Sequence, residues 1–296
     1  MKVRIGIGLG TAGATDPEGF ASTLQQMERL RFDSLWLSEV LTTPSIDPLA
    51  GLAFAAGVTR KLKLGTTMTV TARNPVRMAK ELATIDRLSG GRLLLVFVPG
   101  LTNRVEDQAL GVPLSERGAW IDEALPLVRA LWSEDSVVHD GPRFQYQGPA
   151  VEPRPLQDPL EVWLGGTAKS ALRRAGRLSD GWLPSLCTPE EAAAGRAAIE
   201  AAAADAGRQI DPEHFGISLA YARDEISPAQ VARITKRRPN LDPASVIPVG
   251  MVGLRDLLQR YIDVGFSKFV LRPGDPPRSW TDELDELADG VLALQT

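Results

Sequence analysis

Apolar residues along the chain follow two alternating rhythms: short, nearly continuous apolar runs, and longer stretches with apolar positions every third or fourth residue. The first rhythm predicts buried strands and the second amphipathic helices. Leu62 to Gly100 shows both with their punctuation intact. Leu62 to Val70 is a β-rich run, and Asn74-Pro75 caps and opens a helix carrying Val76, Ala79, Leu82, Ala83 and Leu88 at helical spacing. Ser89-Gly90-Gly91 stops that helix, and Leu93 to Val98 is apolar throughout. A strand apolar on both faces belongs to a parallel sheet covered by helices, so this stretch reads as one βαβ unit.

The same alternation runs through the rest of the chain. Val3 to Leu9 predicts a strand, Asp16-Pro17 opens a helix to about Leu30, Ser34 to Leu37 is a second strand, and Pro48 opens a helix to about Val58. A long helix from about Glu116 to Trp132 places Trp120, Ala124, Leu127, Val128 and Leu131 on one face. Strands then recur at Leu160 to Leu164, Gly181 to Pro184, Phe215 to Ala222 and Lys268 to Leu271. Helices are expected at Thr167 to Leu178, Pro189 to Ala206, Leu254 to Val264 and near Trp280 to Leu294.

Two segments break the rhythm. About 136–158 carries the turns Asp140-Gly141-Pro142 and Gln147-Gly148-Pro149, as in a β-hairpin insertion, and about 223–250 is a polar, irregular insertion. Its basic run Lys236-Arg237-Arg238 reads as a solvated face. No Gly, Ser or Pro-rich linker divides the chain into halves. The predicted fold is therefore α/β: a single (β/α)8 TIM barrel over residues 1–296 with insertions after strands 4 and 7, favoured over two Rossmann halves.

Composition narrows the partners. Thirty-three basic and 37 acidic residues give a formal charge of -4, which provides no global attraction to nucleic acid or to an anionic membrane. A small-molecule substrate is the expected partner. Cys187 is the only cysteine, which excludes an internal disulfide and a cysteine metal cluster and suits a reduced, cytoplasmic setting. The N-terminus runs into a strand with no basic leader or apolar signal core, and no apolar run is long enough to span a bilayer. His139 and His214 lack metal-ligand spacing, and no metal is expected.

In a TIM barrel, chemistry gathers at the C-terminal ends of the strands. Glu39 follows the second strand, where a carboxylate could act as an acid, orient a ring, cap a loop or pair with Arg73. Leu164-Gly165-Gly166-Thr167 ends a strand and opens a helix, offering uncovered amides and a hydroxyl to a phosphate, although a tight turn needs glycine in any case. Arg272 follows the last strand, as a second phosphate anchor or as a salt-bridged seal. Gly8-Leu9-Gly10-Thr11-Ala12-Gly13 spells G-x-G-x-x-G, but the helix start at Asp16-Pro17 comes too late for a dinucleotide fold and favours a loop at the mouth. Cys187 reads as inert.

The segment Asp33 to Glu39, the block Leu64-Gly65-Thr66 through Arg73-Asn74-Pro75 to Ser89-Gly90-Gly91-Arg92, and Trp163-Leu164-Gly165-Gly166 through Arg174-Ala175-Gly176-Arg177 to Asp180-Gly181-Trp182 together resemble the bacterial luciferase-like monooxygenase family. The wording is closest to the branch that uses the deazaflavin coenzyme F420. That resemblance implies an oxidoreductase exchanging hydride with a small organic substrate; the alternatives are an FMN-dependent monooxygenase and a non-catalytic ligand-binding barrel. It implies a ring near Thr67, Met68, Thr69 and Gly100, a phosphate near Gly165, Gly166 and Thr167, and a non-proline cis peptide at Thr67-Met68; homodimers are common among relatives, and the apolar helices around 48–58 and 76–88 could supply an interface, although burial in the monomer explains them equally well. Two departures stand out. Val40 replaces the histidine that many relatives carry after the acidic residue, making Glu39 the leading candidate for proton transfer, and Val96-Phe97-Val98-Pro99-Gly100 replaces a glycine-rich turn with bulk.

Overall fold

The computed structural model describes residues 1–10 and 16–296. Eight parallel strands form the wall of the barrel: β1 (Arg4–Gly8), β2 (Ser34–Ser38), β3 (Lys63–Thr69), β4 (Leu93–Val98), β7 (Val162–Leu164), β8 (Gly181–Trp182), β9 (Gly216–Tyr221) and β10 (Lys268–Pro273). They pair in the order β8-β7-β4-β3-β2-β1-β10-β9. Parallel bridges Trp182↔Phe215 and Ser185↔Ser218 join the two outer strands and close the cylinder. The fold is a (β/α)8 barrel.

Helices α1 (Pro17–Leu30), α2 (Pro48–Val58), α3 (Pro75–Ser89), α5 (Leu114–Ser133), α6 (Lys169–Leu178), α7 (Pro189–Asp205), α9 (Gly250–Asp263) and α10 (Trp280–Val291) surround the wall. Three of the first four wall connections start their helices with one local device. Asp16, Asp47 and Asn74 each stand before a proline and accept hydrogen bonds from first-turn amides, at 2.6 Å from Gly19, 3.0 Å from Ala50, and 3.0 and 3.1 Å from Val76 and Arg77. Each such cap is worth about 1 kcal/mol. Thr188 opens α7 with a reciprocal box to Glu191.

Both insertions are present. After β4 come α4 (Arg104–Leu110), α5 and the antiparallel hairpin β5 (Ser136–Asp140) and β6 (Gln145–Pro149); after β9 comes α8 (Pro228–Arg237), opened by Ser227 boxed with Gln230. Glu123 of α5 ties down the hairpin, accepting from the amides of Arg143 (3.0 Å) and Phe144 (2.8 Å). Among the described residues, no helix is long and apolar enough to cross a membrane.

Alternation along the strands divides the core in two. Ile5, Ile7, Leu35, Leu37, Leu64 and Phe97 face the helices in one large cluster, while Trp36, Val96, Leu183 and Val270 form a small cluster inside the barrel. Glycines on the inner face make room for indoles: a Cβ on Gly65 would lie 2.4 Å from Trp36, and one on Gly181 would lie 2.5 Å from Trp163. One residue predicted for the apolar face of α3 is elsewhere. Leu88 is 63% exposed, and Ile85 and Ser89 are buried in its place because the last turn rotates residue 88 toward solvent.

Candidate active site at the barrel mouth

Strand alternation decides which side chains reach the mouth. On β3, Gly65 faces Trp36 inside the barrel, so Thr67 shares its inner face and is half-buried at the opening. Met68 points the other way and is fully buried among the helices. Of this pair only Thr67 can turn its side chain to the mouth, because a period of two cannot put neighbouring residues on the same face, and Met68 could border a ring there only through its backbone. The same rule removes Phe97 as an obstacle, since it too belongs to the outer core with no exposure, leaving Val98 to face inward.

Thr67-Met68 also departs from the expected cis peptide. The cis bonds of the described residues are Glu152-Pro153 and Asp158-Pro159, and Thr67-Met68 is trans. Thr67 and Met68 stay in register with Val96 and Phe97 on β4, so the ladder runs on without a bulge.

Glu39 fastens the ends of two strands. Its amide donates to the Thr67 carbonyl at 2.9 Å, its Oε2 accepts from the Thr69 amide at 2.8 Å, and its Oε1 accepts from Arg73 Nη2 at 2.6 Å. Arg73 Nε returns to the Thr69 carbonyl at 3.1 Å. The Glu39 side chain is only 6% exposed, and both carboxylate oxygens are engaged, so of the roles considered the Arg73 pairing is the one the geometry contains. Thr69 is buried beside this clamp.

Gly100 lies where β4 turns over the rim. Its φ of +90° suits glycine, and a Cβ there would lie 2.9 Å from Leu110 and 3.0 Å from Thr69. This rim is held by two buried charged residues that sequence reasoning missed. Glu106 accepts from Thr42 through its amide (3.2 Å) and hydroxyl (3.1 Å), and Arg117 donates to the carbonyls of Leu101 (2.9 Å) and Val112 (3.0 Å) and to Asp107 (2.7 Å). A signal for α4 was present: Asn103 stands three residues before Glu106 and Gly111 closes the turn, a cap at each end.

Across the opening, Gly165 is buried and Gly166 and Thr167 are exposed. Gly166 has φ +95°, and its carbonyl accepts from Trp182 Nε1 at 2.9 Å, which holds the turn from behind. No side chain caps the N-terminus of α6, so its first amides face the rim with the partial positive charge of a helix start. Serines that sequence reasoning did not single out complete the lining: Ser38 and Ser185 are exposed, and Ser218 is half-buried. Arg272 shares the inner face of β10 with Val270, since a Cβ on Gly8 would lie 3.5 Å from both. It makes no salt bridge among the described residues; burial, with repulsion from Arg233 and Arg237, pushes its guanidinium below the ordinary arginine range. Gly8 and Gly10 belong to this side, while Thr11, Ala12 and Gly13 of the glycine motif lie outside the described residues.

A recess of about 110 Å³ exists at the opposite, N-terminal end, lined by Arg4, Trp36, Lys63, Trp163, His214 and Lys268 among others. Its charges largely satisfy one another: Lys268 meets Asp33 at 2.9 Å and Arg4 meets Glu213 at 3.2 Å. That pattern suits a structural base better than a site of chemistry. Cys187 is buried, and burial, reinforced by Glu191, pushes its thiol up to about 12, so it is no nucleophile.

Comparison with known proteins agrees with this architecture. The luciferase-like monooxygenase family matches residues 2–238, and the chain belongs to that enzyme family. A putative coenzyme F420-dependent oxidoreductase of Mycobacterium tuberculosis is 29% identical over 206 residues, 64% of this chain and 57% of that protein. A phthiodiolone/phenolphthiodiolone dimycocerosates ketoreductase of Mycobacterium bovis is 30% identical over 197 residues, 64% of this chain and 51% of that one. The chain thus spans little more than half the length of these relatives. Among solved structures, an F420-dependent secondary alcohol dehydrogenase in complex with an F420-acetone adduct superimposes over the full length of both chains with a TM-score of 0.81 at 18% identity. A monooxygenase from Streptomyces bottropensis covers 98% of this chain and 99% of its own with a TM-score of 0.78 at 21% identity, and at such identities the likeness is one of fold.

Proposed function

We propose that this protein is an oxidoreductase that binds coenzyme F420 at the barrel mouth and exchanges hydride with a small organic substrate. The observation that carries the reading is the strand-to-helix turn at Gly165-Gly166-Thr167. It offers a side-chain-free cradle backed by Trp182 and an uncapped helix start, directly beside an opening lined by small hydroxyl residues. Those groups fit a phosphorylated tricyclic coenzyme. Gly166, Thr167 and the first amides of α6 would hold the phosphate, and Thr67 with Ser38 would border the ring. Comparison with the F420-dependent relative supports the choice of coenzyme.

When bound, a deazaflavin supplies two electrons as hydride, so the chain's own residues have mainly to bind and orient. Glu39, locked to Arg73 and the Thr69 amide, positions Thr67 and Thr69 at the ends of the wall. Gly100 lets the segment carrying α4 cover the rim without intruding on Thr69.

Fluorescence titration with coenzyme F420, and separately with FMN, tests the reading. Saturable F420 binding is expected, weakened by about tenfold or more in Gly166→Val, whose side chain opposes a positive φ and covers the cradle. Circular dichroism checks that the variant is folded. Absence of F420 binding, or tight binding of FMN alone, would overturn it in favour of a flavin-free barrel or an FMN-dependent monooxygenase.

A further inference from the structure

The three guanidinium groups around the end of β10 have cations for company. Arg272 reaches the mouth from the inner face of the wall, and Arg233 and Arg237 on α8 are the charges it feels most. Arg233 arches over the strand end, its Nη2 donating to the Gly274 carbonyl at 2.9 Å. None of the three makes a salt bridge among the described residues, in a chain where twelve other arginines do. Residues 11–15, Thr-Ala-Gly-Ala-Thr, contain no carboxylate to supply the missing partner.

A half-buried guanidinium at the rim, near two exposed like charges and without a salt bridge among the described residues, favours an anion, and arginine's planar fork suits carboxylate or phosphate oxygens. We infer that Arg272, with Arg233 and Arg237, is the seat of an anionic group on the substrate, a carboxylate or phosphate. This inference rests on the proposed placement of the coenzyme at the mouth. The coenzyme's phosphate has its own cradle on β7, and β8 and β9 stand between that strand and β10. Three inter-strand steps of about 4.8 Å separate the two sites along the wall, too far for one phosphate to touch both. The phosphate thus occupies one seat only, and the coenzyme affinity of the Arg272 variant distinguishes a substrate anion from a carboxylate elsewhere on the coenzyme. The second seat is built partly on α8, within the insertion after β9, where loop variation around a rigid barrel sets substrate choice.

Inorganic phosphate is a suitable probe, titrated calorimetrically into protein already saturated with coenzyme F420. Saturable phosphate binding is expected, weakened about tenfold by Arg272→Gln and by a smaller factor in Arg237→Gln, while both variants keep coenzyme affinity within about twofold. Arg237 is exposed, so its variant tests the cluster even if Arg272→Gln folds poorly. Loss of phosphate binding once the coenzyme is bound would overturn the inference, as would a tenfold loss of coenzyme affinity in Arg272→Gln, which would assign the cluster to the coenzyme. Failure of the coenzyme reading is seen separately, as absence of F420 binding whether or not FMN binds. Phosphate is then titrated into the bare protein, where dependence on Arg272 supports the anion seat and independence of it overturns it.

Discussion

At the base of the barrel, buried Lys268 and half-buried Lys63 share the carboxylate of Asp33; at the mouth, Arg272 has the like charges of Arg233 and Arg237 near it and no salt bridge among the described residues. Both ends grow from the same parallel strands, and β10 carries Lys268 at one end and Arg272 at the other. The base also packs indoles of Trp36 and Trp163 against inner glycines, whereas the mouth exposes serines. Compensation makes the base a stable foundation. The mouth is compensated at Glu39 and Arg73, and the lack of a salt bridge around Arg272 among the described residues leaves binding free energy available to an anionic ligand.

The largest effect should come from removing the base counter-charge. Asp33→Leu strands Lys268 without a carboxylate and is expected to destabilise the fold by about 3–5 kcal/mol in urea denaturation, whereas Arg272→Met at the mouth should change stability by less than about 1 kcal/mol or raise it. Equal losses at the two ends would break the contrast. A smaller loss, about 1–3 kcal/mol, is expected from Gly65→Ala, because the added methyl would start 2.4 Å from Trp36 between the two ends. Near-UV circular dichroism should register the displaced indole; an unchanged spectrum and stability would mean that the inner packing is loose.

Acid titration sharpens the comparison further. Burial works to raise the Asp33 carboxyl, but Lys268 and Lys63 outweigh it and hold the group below its ordinary value of 3.8. A carboxyl lowered in the folded state adds stability that is present above its unfolded pKa and lost as pH falls through its folded one. Urea midpoints should therefore fall from about pH 4 downward, with a shallower slope in Asp33→Leu than in the natural chain. Parallel slopes would remove Asp33 from the account.

Much of the architecture could be read from the chain because its helix starts are local. Asp16-Pro17, Asn74-Pro75 and Pro48 announce helices through caps and fixed φ angles that do not depend on tertiary contacts. Strand extents were less legible. Leu183 and Pro184 remain buried after β8 has ended at Trp182, so an apolar run overstates the length of the hydrogen-bonded ladder. At the mouth, the Gly166 turn and Arg272 could be found from their positions at strand ends. Met68 could not be separated from Thr67 until register fixed which face was inner, and Ser38, Ser185 and Ser218 carry a residue type too common to signal a site. Glu106 acts through Thr42, 64 residues away, and Arg117 stitches Leu101 to Val112 across the segment that carries α4, whose shape no periodic pattern contains.

The join between β8 and β9 has a mechanical meaning. A two-residue stave meets its neighbour through bonds such as Trp182 N to the His214 carbonyl and Ser218 N to the Pro184 carbonyl, both 2.9 Å, while β9 and β10 run six residues in register. The cylinder behaves as a curled ribbon fastened by a short clasp. With few ladder bonds crossing that join, local opening of the wall is expected to begin there, as the fastest amide exchange among the strands.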